Sequence, residues 1–141
     1  MSCWIYIAAP LSQAARCEEL AKVLRERGHF PVSSWHRVVA RLGLTSDQSD
    51  PLERKRVNDQ NMGDLDSADM VVAVTCDGVP RSTYFEIGYA CAKWKPVVWV
   101  PAHENNPLCD AHEMVTLVQP GEDVHEVIDR VARSVAAGEV A

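Results

Sequence analysis

The sequence predicts a single α/β domain: a five-stranded parallel sheet, doubly wound, with helices on both faces. Short, nearly unbroken apolar runs rich in β-branched residues predict the strands. Between them lie segments whose apolar residues recur three and four positions apart, which predicts helices. The chain has 141 residues, about one domain's worth, so residues 1–141 are expected to form one unit.

Residues 3–8 form the first apolar run, ended by Ala9-Pro10. Ser12 then caps a helix in which Ala14, Ala15, Leu20, Ala21, Val23 and Leu24 keep helical spacing. Lys22, Arg25 and Arg27 suit its last turns, and Gly28 suits its stop. Residues 30–34 give a second, weaker strand. Residues 35–49 carry the least pattern, a short helix around 36–42 and then a polar loop. Asp50-Pro51 opens a charged helix to Ser67, as an N-cap followed by proline at the first helical position. Residues 70–75 are the clearest strand. A loop at 76–82 leads to a helix from about 84 to 94, which Pro96 stops before a strand at 97–100. After a long loop at 101–113, residues 115–118 form the last strand. Pro120-Gly121 turns the chain into an amphipathic helix bearing Val124, Val127, Ile128, Val131, Ala132 and Val135. Idealised, the order is β-α-β-α-β-α-β-α-β. Ligands of such sheets bind beyond the carboxyl ends of the strands, where strand order reverses. The loops at 8–12, 76–83 and 101–113 are therefore the places for a site, and the first offers Ala8, Pro10 and Ser12.

Composition narrows the function classes. Apolar residues make up 47% and charged residues 24%, as in ordinary globular chains. Fourteen Lys+Arg against 20 Asp+Glu leave a net charge of −6, which argues against binding a nucleic-acid polymer. A small anion held by one arginine or a helix N-terminus remains compatible. The five cysteines, at 3, 17, 76, 91 and 109, are odd in number and form no C-x-x-C, so reduced thiols in a cytoplasmic protein are expected. The first residues lack a basic segment and their apolar run is too short for a membrane span. Neither G-x-G-x-x-G, a Walker loop nor G-x-S-x-G occurs. Cys109-x-x-His112 is a single pair where structural zinc needs two, so no metal or cofactor is expected.

The stretch 81–90, Arg-Ser-Thr-Tyr-Phe-Glu-Ile-Gly-Tyr-Ala, carries the chemistry. Glu86 is expected in the first turn of a helix at the carboxyl end of the clearest strand. Thr83-x-x-Glu86 matches a capping box, in which Glu86 would only bond back to the Thr83 amide. Against that reading, Tyr84, Phe85, Ile87 and Tyr89 surround Glu86 with apolar surface. Gly88 costs about 1 kcal/mol in a helix interior, which suggests that a ligand or another helix approaches there. A helix N-terminus also favours the ionised carboxylate, the form a nucleophile needs. Tyr6, in the first strand, is either core or a partner for Glu86.

Three segments in register resemble the nucleoside 2-deoxyribosyltransferase family, which includes 2′-deoxynucleoside 5′-phosphate N-hydrolases. They are Ile5-Tyr6-Ile7-Ala8-Ala9-Pro10, Ala68-Asp69-Met70-Val71-Val72-Ala73, and Phe85-Glu86-Ile87-Gly88-Tyr89-Ala90 followed by Lys95-Pro96-Val97. Together they span roughly residues 4–100. The resemblance implies a flavodoxin-like fold and cleavage of the N-glycosidic bond of a (deoxy)nucleoside or its 5′-monophosphate. It makes Glu86 the nucleophile that forms a covalent glycosyl-enzyme and Tyr6 the residue that orients it. A second base (transferase) or water (hydrolase) resolves the intermediate. Such a carboxylate splits one hard step into two.

Two positions depart from the family's pattern. Asn61 stands where an aspartate usually handles the leaving base, and Pro80 where a second aspartate is common. An amide hydrogen-bonds a base but does not protonate it, so Asp59 or Asp64 would have to serve, or no acid is needed. Arg81, Ser82 and Thr83 at a helix start suit a 5′-phosphate, against the plainer reading of Arg81 as a solvated cation. Asp69 is either a substrate contact or a turn and cap residue, and Ser12 either a phosphate ligand or a helix cap. Gly88, Cys91 and Ala92 form a small-residue face beside Tyr89 and Trp94, and a homodimer or larger homo-oligomer is expected. The alternative function is a nucleotide-sensing module of the same fold that does not cleave.

Overall fold

Residues 70–74 are buried at every position, as an unbroken apolar run requires of a strand covered on both faces. The computed structural model describes residues 2–42, 51–76, 81–102 and 111–139. Five strands form one sheet: β1 (Trp4–Ala8), β2 (Phe30–Pro31), β3 (Met70–Val74), β4 (Val97–Val100) and β5 (Val115–Leu117). Their order is β2-β1-β3-β4-β5, with every neighbouring pair parallel. Flanking them are a 3-10 turn (Leu11–Gln13), α1 (Ala14–Glu26), α2 (Trp35–Leu42), α3 (Pro51–Ser67), α4 (Arg81–Ala92) and α5 (Val124–Ala136). The sheet is the predicted doubly wound one, and the amphipathic helix expected after the last strand is α5.

Two sets of side-chain bonds tie the helices into layers. On one side, Tyr89 Oη donates to Asp66 Oδ1 (2.7 Å) and Lys95 Nζ donates to Asp66 O (2.8 Å), joining α4 and its end to α3. On the other, Arg27 and His29, after α1, pair with Asp129 of α5. The chain leaves β1 in one direction, to β2, and returns past it to β3. The reversal therefore lies between β1 and β3, and a crevice at their carboxyl ends is the ligand position that such a sheet dictates. Tyr84 packs edge-on against the buried Trp99 of β4, ring centroids 5.9 Å apart, which fixes α4 over that crevice.

Several boundaries differ from expectation, each for a local reason. β2 is two residues long, because after the Val32 N–H donates to Ile5 O (2.8 Å) the next β1 residue on that side, Ile7, is bonded by the side chains of Ser33 and Trp35 in place of backbone. Ser12 does not cap α1. It lies in the 3-10 turn, and Gln13 takes the N-cap position with no side-chain bond. α4 begins at Arg81, earlier than expected, and ends at Ala92. Behind it Trp94 adopts φ 56°, a left-handed stop that glycine usually supplies. Asp123 caps α5, accepting from the amides of His125 (2.8 Å) and Glu126 (3.1 Å). Cys3, Cys17 and Cys91 are buried, and burial pushes the Cys3 and Cys17 thiols up to about 12. Asp50, Pro80 and Cys109 lie outside the described residues. Among the described residues no helix is long and apolar enough to cross a membrane.

Candidate active site

Strand alternation places Tyr6 and Ala8 on one face of β1, with Tyr6 paired to Val71 at the middle of the sheet. Helical spacing gives α4 an inward stripe of Thr83, Glu86, Ile87, Ala90 and Cys91, all buried. Tyr6 and Glu86 face each other closely enough that each shifts the other's titration. Yet Tyr6 Oη, Thr83 Oγ1 and Glu86 Oε2 are buried with no hydrogen-bond partner among the described residues. Each such group costs about 1–3 kcal/mol, and native proteins hold few of them. Three of the five among the described residues gather on this β1–α4 contact, which makes it the candidate site.

The capping box that Thr83-x-x-Glu86 matches does not form. Thr83 is the third residue of α4, not its N-cap, and no hydrogen bond joins it to Glu86. Glu86 consequently lies in the second turn, beyond the reach of the helix-end charge. Burial dominates there and pushes its carboxyl up to about 7, with the Tyr6 hydroxyl drawing it partly back. Near neutral pH the group holds comparable amounts of acid and carboxylate, whereas the helix-end argument expects the carboxylate alone. Burial, then the Glu86 charge, then that of Asp64 push the Tyr6 hydroxyl upward, so it stays a neutral donor.

The other predicted residues divide between the crevice and elsewhere. Ala8 is buried at the carboxyl end of β1, Pro10 is half-buried, and Ser12 is exposed with its Oγ 4.0 Å from Cys76 Sγ just past β3. Arg81 and Ser82 are exposed in the first turn of α4. Asn61 is half-buried on α3, one turn before Asp64 and Leu65. Asp64 accepts from Ser34 N (3.2 Å), Ser34 Oγ (2.8 Å) and Gln60 Nε2 (2.8 Å), beside Tyr6. Asp59 is exposed and paired with Lys55, so of the two candidate acids only Asp64 stands near Tyr6. Two residues are not brought to Glu86. Asp69 lies at the amino edge of the sheet, where its carboxylate accepts from Trp4 N (2.8 Å), the cap role. Gly88 is on the outward face of α4, and a Cβ there would meet nothing within 4 Å, so no part of the described chain approaches it.

Residues 33–36 hold a feature that the sequence reading misses. Ser33 Oγ accepts from Ile7 N (3.1 Å) and lies 2.9 Å from His36 Nε2, while His36 Nδ1 bonds to Glu18. Trp35 Nε1 donates to Ile7 O (2.8 Å), and Ser34 holds Asp64. His36 is fully buried, and burial pushes its pKa down, so it is a neutral link between Ser33 and Glu18. The run Ser-Ser-Trp-His after a proline-broken edge strand is the signal that marks it.

Among the described residues no group of three or more His, Cys, Asp or Glu is placed to hold a metal. A cavity of about 250 Å³ between Pro96, Met114, Thr116 and Arg130 contains none of the site residues. A family model for nucleoside 2-deoxyribosyltransferase matches residues 5–124. No curated protein matches the chain significantly. Among solved structures, the fold is similar to that of a 2-deoxyribosyltransferase from Bacillus psychrosaccharolyticus, at TM-score 0.67 and 22% identity over 88% of this chain and 89% of that one. It is also similar to a CMP N-glycosidase from Clostridium botulinum, at TM-score 0.53 and 18% identity over 91% and 96%. At these identities the two structures speak for the fold.

Proposed function

Because the chain belongs to the nucleoside 2-deoxyribosyltransferase family, we propose that it cleaves the N-glycosidic bond of a (deoxy)nucleoside or nucleoside 5′-monophosphate through Glu86. The observation that carries this reading is the buried carboxyl of Glu86 with an unpartnered oxygen facing Tyr6. An oxygen of the carboxylate bonds to the anomeric carbon while the carbon–nitrogen bond breaks and its electron pair leaves on the base. A second base or a water then attacks the same carbon and frees Glu86. Tyr6, as a neutral donor, orients the carboxylate. Asn61 offers the leaving base a hydrogen bond but no proton. Arg81, Ser82 and the start of α4 suit a 5′-phosphate. The chemistry invokes no cofactor.

A homodimer or larger assembly belongs to the same proposal. Phe85, Gly88 and Ala92 are exposed on the outward face of α4, and the one charged residue from 82 to 92 is the buried Glu86. Asn61 also suits a module that binds nucleotide without cleaving it, and a ligand-raised melting temperature without base release would mark that case. Base release from deoxynucleosides and their monophosphates, with and without an acceptor base, is the test. Glu86→Gln should lower the rate by on the order of 10³-fold or more while the circular dichroism stays native. A variant that still releases base at the parental rate sinks the reading.

A further inference from the structure

α3 and α4 share one face of the sheet, joined by the Tyr89–Asp66 bond (2.7 Å), and both descend from its carboxyl side to its amino edge. Asn61 stands five residues before Asp66, about 7.5 Å up the sheet, and Glu86 three residues before Tyr89, about 4.5 Å up. Helix rise therefore brings Asn61 and Glu86 nearly level, on facing walls of the crevice over Tyr6. Asn61 shares the inward stripe of α3 with Leu65, four residues on and fully buried. It is half-buried, and its amide bonds to nothing among the described residues. In a displacement at the anomeric carbon, nucleophile and leaving group stand on opposite sides. A sugar attacked by Glu86 thus directs its base away from α4, towards Asn61.

Breaking the carbon–nitrogen bond puts negative charge on the base. A fixed neutral donor stabilises charge where it develops, whereas an ionised carboxylate in that place would repel it. We propose that Asn61 Nδ2 donates to a ring carbonyl oxygen of a base that departs as an anion, and that the substrates are nucleosides of two-carbonyl pyrimidines, the uracil type. As Glu86 bonds to the anomeric carbon, the electron pair passes to N1 and spreads over both carbonyl oxygens. The released anion then takes its proton from water. Cytosine spreads the charge over one carbonyl and adenine over none, so both need a proton in order to leave. Neither Asp59, paired with Lys55, nor Asp64, with Ser34 N, Ser34 Oγ and Gln60 Nε2 bonded to it, is placed to supply one. The proposal deepens the N-glycosidase reading and rests on it.

The test is single-turnover base release from 2′-deoxyuridine, its 5-fluoro derivative, 2′-deoxycytidine and 2′-deoxyadenosine, each supplied free and as the 5′-monophosphate. With the sugar held constant, 5-fluorouracil is expected to leave fastest and uracil next, with cytosine and adenine about a hundredfold slower. Asn61→Ala should slow the release of uracil about a hundredfold and widen the gap between uracil and 5-fluorouracil, at an unchanged melting temperature. Asn61→Asp, of the same shape, should not recover the rate. Faster release in Asn61→Asp overturns the proposal, because the base would then be leaving with a proton from that position. Cytosine or adenine released ahead of uracil, or a rate that ignores the base, overturns it too. Each of those results leaves the N-glycosidase reading standing. Absence of base release from every one of these compounds refutes that reading, and the proposal with it.

Discussion

Two buried polar clusters flank β1, and they are built to opposite rules. In Ser33–His36 each of four consecutive side chains is bonded, to β1, α3, β1 and α1 in turn. In the Tyr6–Thr83–Glu86 cluster three buried atoms have no partner among the described residues. The first cluster is finished by the chain itself, and its bonds hold the β2–α2 connection in one place. The second is complete only when something else enters. Under the proposed function, stability and chemistry fall to adjacent but separate groups of residues, an arrangement expected where a site must hold costly polar atoms in readiness.

Breaking the finished cluster should have the largest effect on stability. His36→Ala removes a fully buried side chain and strips Ser33 and Glu18 of their partner, so a loss of about 3 kcal/mol is expected in denaturant unfolding. A loss under about 1 kcal/mol would deny that the cluster is structural. The unfinished cluster should respond with the opposite sign. The Glu86 carboxyl titrates at about 7, above its ordinary 4.5. Between those values the native state keeps a proton that the unfolded chain has lost, so its stability falls as pH rises, and the full penalty is present above pH 7. Glu86→Gln should therefore be more stable than the parent by up to about 3 kcal/mol at pH 8 and equal to it near pH 4. Base release by the parent should climb with pH through about 7, as the nucleophile ionises. A flat stability difference would separate Glu86 from the burial that shifts it. The smallest change comes at Tyr6→Phe, which removes the buried hydroxyl that faces Glu86. Stability should hold or rise by about 1 kcal/mol while turnover falls about tenfold. Equal loss of both would assign Tyr6 to packing.

Much of this was legible from residue order. The strands at 70–74 and 97–100 announce themselves because burial on both faces demands continuous apolar runs. Asp69 before the first of them reads as either a substrate contact or a cap, and its bond to Trp4 N takes the second part. Glu86 stands out by its apolar neighbours, and the same burial decides its titration. The start of α4 is misread because Thr83-x-x-Glu86 imitates a capping box, so both residues seem satisfied locally when neither is. Gly88 does not share the Glu86 face because it stands two residues further along the helix. Two residues are 200° around a helix, which sends them to opposite sides. The bonded cluster at residues 33–36 is missed, since bonds between side chains and distant backbone leave no periodicity in the sequence and only the run Ser-Ser-Trp-His marks it.

The brevity of β2 has one more consequence. A sheet margin with free amides and carbonyls is a template on which another polypeptide can add. Beyond Pro31, where the second strand stops, the Ile7 amide is occupied by Ser33 and the Ile7 carbonyl by Trp35. A hydroxyl and an indole thereby take up both groups inside the fold, so this stretch of β1 offers no free amide and carbonyl on which a further strand could add.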